Sequence, residues 1–150
     1  MTVEKPFRKA LIPVDASRWS MQAAEYGIRL AEALGFTVIG LYVVDTDNAK
    51  LLASFLKKEA REVEESFRRE GESALAHMEE LARKGGVEFR GIIAQGVPHR
   101  IIVDLARSEG VDLIIIGKVG HRGPRRILIG PVTERVLEDA PCPILVVPQS

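Results

Sequence analysis

The sequence predicts an α/β domain built on one doubly wound, five-stranded parallel sheet with the strand order 3-2-1-4-5. Short apolar segments rich in Val, Ile and Leu alternate with longer segments whose apolar residues recur every three or four positions. Residues that favour turns and helix caps separate the two kinds of segment. Because strand–helix–strand connections are right-handed, this alternation builds a parallel sheet with helices on both faces. The length of 150 residues suits one domain spanning 1–150.

The predicted strands differ in how deeply they should be buried. Four are apolar runs, whereas the third alternates apolar and charged residues and should lie near an edge of the sheet. The strands are predicted at 9–14, 37–44, 87–90, 112–116 and 143–147. In the flavodoxin-like order that suits five strands, the first and fourth flank the switch point, and ligands bind beyond their carboxyl ends.

Helices are predicted at 18–34, 49–84, 98–109 and 131–138. Ser17 is the predicted N-cap of the first helix and Gly35 its C-cap. The apolar stripe of this helix comprises Ala23, Tyr26, Gly27, Leu30, Ala31 and Leu34. The stripe of the long second helix comprises Leu52, Leu56, Ala60, Val63, Phe67, Gly71, Ala74, Met78 and Leu81.

Gly71 has two interpretations, because glycine inside a helix costs about 1 kcal/mol relative to alanine. Its place on the apolar stripe favours a point of close packing within one continuous helix. The alternative is a break of the helix at Gly71.

Composition excludes several classes of protein. The 21 basic and 21 acidic side chains give a formal net charge of +0, so no global charge attracts nucleic acid or an anionic membrane. Cys142 is the sole cysteine, which excludes an internal disulfide and a cysteine-rich zinc site. The first residues contain no apolar signal core, and no run approaches the roughly 18 apolar residues of a membrane span. We therefore expect a cytoplasmic protein.

The residues that follow the first and fourth strands point to a ligand site. Asp15 follows the first strand, and a basic loop that opens at Gly117 follows the fourth. Glycines allow a backbone to approach a ligand closely, and the helix after Gly130 offers free N–H groups and a positive dipole end to an anion. Lys118, Arg122, Arg125 and Arg126 add positive charge to the loop. This combination is typical of a phosphate site.

The same residues carry a resemblance to a known family. Gly117, Gly120 and Gly130 are separated by two and then nine residues, and Asp15 is followed by Ser17 and Ser20. This pattern resembles the ATP-binding subgroup of the universal stress protein (UspA-like) family, over nearly the whole chain. The resemblance implies an adenine nucleotide alpha hydrolase-like fold. It also implies ATP or AMP as ligand, with or without Mg²⁺.

Carried over to this sequence, the resemblance implies a set of nucleotide-binding residues. Asp15 and the backbone near Val43 would face the adenine, and Gly117 would lie near the ribose. The N–H groups of the loop and of the following helix would hold the phosphates. His121 and Arg122 are candidates because of their place in the loop. With these two included, the candidate residues are Pro13, Val14, Asp15, Val43, Gly117, Gly120, His121, Arg122, Gly130, Val132 and Thr133.

Pro131 departs from the family pattern, which has serine or threonine at this position. Proline is well tolerated at the first position of a helix, so we expect the helix to form. It nevertheless removes a hydroxyl and a backbone donor from the phosphate site. A hydrogen bond to a charged group is worth about 1.5–3 kcal/mol, so its loss weakens binding about tenfold to a hundredfold. Arginines of the loop could compensate for that loss.

The last predicted strand points to self-association. In the predicted order it lies at an edge of the sheet, yet Ile144 to Val147 carry no charge. Uncovered apolar edges invite pairing with other chains. We therefore predict a homodimer through this strand, an arrangement that the resemblance also implies.

These features leave three hypotheses of function. The favoured one is a stress-response regulatory protein whose bound adenine nucleotide switches a homodimer. The alternative is a dimeric interaction module in which Pro131 marks a degenerate phosphate site. An enzyme ranks last, with slow ATP hydrolysis as the most that we expect, because no nucleophile, general base or metal cluster converges on the loop. His77 and His99 lack metal-ligand spacing, and Cys142 is interpreted as structural.

Overall fold

A parallel sheet with the strand order β3-β2-β1-β4-β5 forms the centre of the computed structural model, which describes residues 5–121 and 128–149. This order confirms the predicted fold class. The strands are β1 (Lys9–Val14), β2 (Thr37–Asp45), β3 (Phe89–Gly96), β4 (Leu113–Gly117) and β5 (Ile144–Val147). The third strand lies at an edge, as predicted, but it begins at Phe89 and extends to Gly96 rather than spanning 87–90.

Helices cover both faces of the sheet. The helices are α1 (Arg18–Leu34), α2 (Thr46–Leu56), α3 (Ala60–Lys84), α4 (Pro98–Ser108) and α5 (Pro131–Asp139). Residues of α1 and α3 share one buried apolar cluster with the sheet, whereas residues of α4 and α5 share a second cluster that contains Leu11 and Ile114. Alternate residues of a strand point to opposite faces, so β1 contributes to both clusters. Within the described residues, no helix is both long and apolar enough to cross a membrane.

Helix α1 begins and ends where the sequence predicts. The hydroxyl of Ser17 accepts the Ser20 N–H, and Gly35 closes the helix with a φ of 77°. The predicted apolar stripe is wrong in two places, because Tyr26 is 51% exposed and Leu34 is 39% exposed. The helix instead buries a narrower face of mostly small residues, which lets it approach the sheet closely. The buried residues of α1 are Ser20, Ala23, Ala24, Gly27, Ile28 and Ala31.

The single long helix predicted for 49–84 is wrong, because the chain forms α2 and α3 with a break between them. Lys57 adopts the left-handed conformation with a φ of 56°. The Lys58 N–H donates to the Ala53 carbonyl at 2.9 Å, and the Lys57 N–H donates to Ser54 at 3.4 Å. This pair of bonds is a Schellman motif, which usually ends on glycine. Since a lysine fills that position here, the sequence carries no stop signal.

Gly71 lies inside α3 and is a point of close packing. The predicted close-packing role is therefore confirmed, and the helix does not break at this residue. A Cβ placed on Gly71 would overlap the ring of Tyr42, with the Tyr42 Cγ only 2.6 Å away. Tyr42 is buried in β2, and its hydroxyl donates to a Glu70 carboxylate oxygen at 3.2 Å. The ring is therefore fixed at both ends and cannot easily make room.

Replacing Gly71 with alanine is expected to destabilise the protein by about 1–3 kcal/mol, because overpacking outweighs the gain in helix propensity. Urea denaturation measures the free energy of unfolding. Ser73→Ala is the matched control, since Ser73 is exposed on the same helix and gains propensity without a clash. A Gly71→Ala protein as stable as the parent would contradict the packing argument.

Candidate functional site

The carboxyl ends of β1 and β4 meet at one notch of the sheet. β1 pairs with β2 on one side and with β4 on the other. The chain leaves β1 into α1 on one face, whereas it leaves β4 toward α5 on the opposite face. Asp15 and Gly120 touch across the notch, because a Cβ on Gly120 would overlap the Asp15 carboxylate. The structure thus brings together the two segments that the sequence predicts to meet.

Asp15 forms hydrogen bonds with all of its polar groups. Its N–H donates to the Ser20 hydroxyl at 3.1 Å, and its Oδ1 accepts the Ser17 N–H at 3.0 Å. Its Oδ2 accepts the His121 N–H at 3.1 Å, and its carbonyl oxygen contacts the Nε2 of the His121 ring. Asp15 therefore links the turn after β1 to the loop after β4.

The turn after β1 stores backbone strain. Ala16 has a φ of 68°, a left-handed conformation that costs an ordinary residue about 1–2 kcal/mol. The bond from the Ser17 N–H to Asp15 holds this turn in place. Ser17 then caps α1, so the strained residue lies between two local hydrogen bonds.

The two ends of the glycine loop are fastened to each other. The Gly130 N–H donates to the Lys118 carbonyl at 2.7 Å, and the buried Thr133 hydroxyl donates to the Gly117 carbonyl at 2.8 Å. A Cβ on Gly117 would lie 3.2 Å from the Val119 carbonyl oxygen, and one on Gly130 would lie 3.2 Å from the Val119 Cα. Both glycines therefore permit a backbone approach that larger residues would disturb.

Helix α5 points its N-terminus at this fastened loop. Gly130 is the N-cap and supplies no side-chain hydrogen bond, and Pro131 occupies the first helical position. Helix α5 forms with Pro131 at its start, which confirms the prediction that this helix tolerates the proline. Thr133 is buried, whereas Pro131 and Val132 are exposed. The first turn of α5 thus offers its positive dipole end to the notch.

The opposite side of the notch is formed by the ends of β1 and β2. Pro13 and Val14 are buried, Val43 is half-buried, and Val14 lies beside Tyr42 in the sheet. Burial raises the pKa of the Tyr42 hydroxyl well above its usual range, and the nearby Glu70 carboxylate raises this pKa further. The hydroxyl therefore stays protonated, and able to donate a hydrogen bond, to a higher pH than that of an unburied tyrosine.

The remaining candidate residues lie in the loop after β4. His121 is exposed and Lys118 is half-buried. Arg122, Arg125 and Arg126 lie outside the described residues. Within the ranges 5–121 and 128–149, no three metal-ligating side chains form a cluster. An open groove of about 460 Å³, lined by residues such as Lys58, Arg61 and Arg69, lies beside α3. None of its lining residues belongs to the notch.

Residues 6–148 match the universal stress protein family. The chain belongs to this family. Universal stress protein MJ0531 of Methanocaldococcus jannaschii is 36% identical over 144 residues, which cover 96% of this chain and 84% of the relative. The solved structure of protein MJ0577 is 30% identical with a TM-score of 0.82, and the match covers 96% of this chain and 97% of that one.

A universal stress protein family member from Arabidopsis thaliana, solved with AMP bound, shares the same fold. It is 18% identical with a TM-score of 0.67, and the match covers 95% of this chain and 92% of the Arabidopsis protein. At this identity the likeness establishes the fold alone.

Sequence reasoning missed three features of the notch in this universal stress protein. It did not foresee the bond from Asp15 to the Ser20 hydroxyl, the contacts of His121 with Asp15, or the place of Tyr42 beside Val14. A signal for Ser20 and Tyr42 was present in the sequence, because each places a hydroxyl group within an otherwise apolar, buried segment. The His121 contact depends on loop geometry that no sequence spacing specifies.

Replacing Thr133 with valine is expected to destabilise the protein by about 1–3 kcal/mol, because it leaves the Gly117 carbonyl without its buried donor. Thermal or urea unfolding measures the loss. Thr133→Ser is the matched control, since serine keeps the hydroxyl and should recover most of the stability. Equal losses in the two variants would show that the hydrogen bond is not the stabilising contact.

Proposed function

We propose that this protein binds an adenine nucleotide, AMP or ATP, at the notch between β1 and β4 and acts as a regulatory switch in the stress response. In this proposal residues 1–150 form one domain that works in the cytoplasm as a homodimer. The observation that carries the proposal is the meeting of Asp15, the glycine loop and the α5 N-terminus at the switch point of the sheet.

The side of the notch next to β2 suits the base. Half-buried Val43 offers apolar surface at the end of β2, and the buried Pro13 and Val14 make the neighbouring end of β1 apolar as well. Adenine binding favours an apolar slot with a few polar groups. Asp15 lies at the same end and supplies hydrogen-bond acceptors, which an exocyclic amine requires. We assign these residues and Asp15 to the adenine.

The side of the notch next to α5 suits the phosphates. Gly117 would lie beside the ribose, and the backbone N–H groups near Gly120, Gly130, Val132 and Thr133 would face the phosphates. Three features support this assignment: the absence of a capping side chain on Gly130, the dipole of α5 and the charge of Lys118. Arg122 is proposed as a further phosphate contact. The ring of His121 turns toward the Asp15 carbonyl, so its side chain is not included.

Mg²⁺, when bound, would neutralise charge on the phosphates of ATP. Because the described residues hold no metal-ligand cluster, the ion would rest chiefly on phosphate oxygens and water, as Mg²⁺ commonly does. The notch residues bind and orient the nucleotide, and we assign none of them a step in hydrolysis.

The family relationship is compatible with a second function. Pro131 removes a donor and a hydroxyl from the anion-binding end, which favours an interaction module without nucleotide. The geometry of the glycine loop favours the first function, because both of its close backbone approaches are retained.

Replacing Pro131 with serine is expected to tighten AMP binding about tenfold, because it restores a hydroxyl and an N–H to the phosphate site. Isothermal titration calorimetry with AMP measures the affinity, and adenosine, which lacks the phosphate, should bind both proteins equally. Pro98→Ser is the matched control, since Pro98 opens α4 in the same helical position. No binding by the parent or by Pro131→Ser at millimolar AMP would favour the interaction module.

The proposed dimer forms through the free edge of β5. The carbonyls of Pro143 and Val147 accept N–H groups of Ile114 and Lys118, so alternate residues of β5 face β4. The N–H groups of Ile144 and Val146 therefore point to the open edge. The four side chains of β5 are half-buried and uncharged, which suits pairing with a second copy.

Replacing Val146 with proline is expected to convert the dimer to a monomer, because it removes an N–H from the open edge and leaves the bonds to β4 in place. Sedimentation velocity at micromolar concentration measures the mass, and circular dichroism checks that the fold is kept. Leu145→Val, which changes no backbone donor, is the control. A parent protein that sediments as a monomer would refute the proposed interface.

A further inference from the structure

We propose that His121 and Asp15 form a clasp that closes the adenine end of the notch, and that a nucleotide must displace the His121 side chain to bind. This inference rests on the proposed nucleotide function and adds a control over access to the same site. The clasp consists of the contacts between these two residues, which are 106 positions apart in the sequence.

The clasp occupies groups of Asp15 that the base would use. The Asp15 N–H and Oδ1 are committed to Ser20 and Ser17 within the turn. Its Oδ2 and its carbonyl oxygen, the acceptors that face the loop, are bonded to His121. A base that seeks an acceptor on Asp15 therefore competes with His121.

The partner of the His121 ring determines which ring nitrogen carries the hydrogen. The Asp15 carbonyl can only accept a hydrogen bond, so the Nε2 of His121 carries the hydrogen and donates it. The backbone N–H of His121 donates as well. Replacing the side chain therefore removes one of the two bonds and leaves the other, which makes the ring the separable part of the clasp.

The clasp can open without unfolding the site. Val119 is buried, and Thr133 and Gly130 hold Gly117 and Lys118 in place. His121 itself is exposed. Rotation of its side chain frees the Asp15 carbonyl, whereas the bond from the His121 N–H to the Asp15 Oδ2 stays in place.

The cost of opening sets the expected effect. A hydrogen bond for which water competes changes an equilibrium by about twofold to tenfold. The apparent affinity of a ligand equals its affinity for the open form multiplied by the fraction of molecules that are open. Removal of the ring should therefore tighten nucleotide binding by the same twofold to tenfold.

The test compares His121→Ala with the parent protein by calorimetry, with AMP and adenosine as separate ligands. We expect both ligands to bind His121→Ala twofold to tenfold more tightly, because the clasp closes the adenine end. His121→Gln, whose amide can also donate to the carbonyl, should lie closer to the parent. His77→Ala, which removes an exposed histidine of α3, should change neither affinity.

Two results would overturn the clasp. Weaker AMP binding by His121→Ala with unchanged adenosine binding would make His121 a phosphate ligand instead. Unchanged affinity for both ligands would give the ring no role in access.

A second measurement separates the clasp from the proposed function. Amide hydrogen exchange without nucleotide should be faster at residues 119–121 in His121→Ala than in the parent. Faster exchange in a protein that binds neither ligand would refute the nucleotide function and, with it, the role of the clasp in access. Unchanged exchange together with normal AMP binding would refute the clasp and leave the nucleotide function in place.

Discussion

The contact of Asp15 with the loop after β4 is the constraint on which the rest of the site depends. At the switch point of a doubly wound sheet the chain leaves the two neighbouring strands toward opposite faces, which opens a notch between their ends. Here Asp15 spans the notch by bonding the turn before α1 and the backbone of His121. Gly120 is required at the point of contact, because a side chain would occupy the place of the carboxylate.

The interactions around the notch form a chain from one face of the sheet to the other. Ser20 in α1 bonds Asp15, Asp15 bonds the loop, and the loop is tied through Gly117 to Thr133 in α5. Helices on opposite faces of the sheet are thereby joined through the strand ends. A ligand that rearranges Asp15 would act on both layers at once, which gives the proposed switch a physical route.

The architecture was predictable from the sequence because a buried strand is a short run of apolar residues and a glycine loop shows in the positions of its glycines. The apolar runs at 9–14 and 112–116 located β1 and β4, and their order placed Asp15 and Gly117 at the same end. The break between α2 and α3 was not predictable, because Lys57 adopts a conformation that its residue type rarely takes. The contacts made by His121 depend on how a loop returns to a distant turn. Spacing alone does not encode that path.

The two edge strands of the sheet, β3 and β5, differ in polarity. β3 carries Arg90, which is paired with Glu109 at 2.6 Å, and its Gln95 is exposed, whereas β5 presents uncharged side chains. In the proposed dimer the uncharged β5 edges pair with each other, and the outer edges of the pair are then the polar β3 strands. Such polar edges disfavour the addition of further copies. The polar β3 edge would therefore keep the proposed association through β5 from continuing into a fibre.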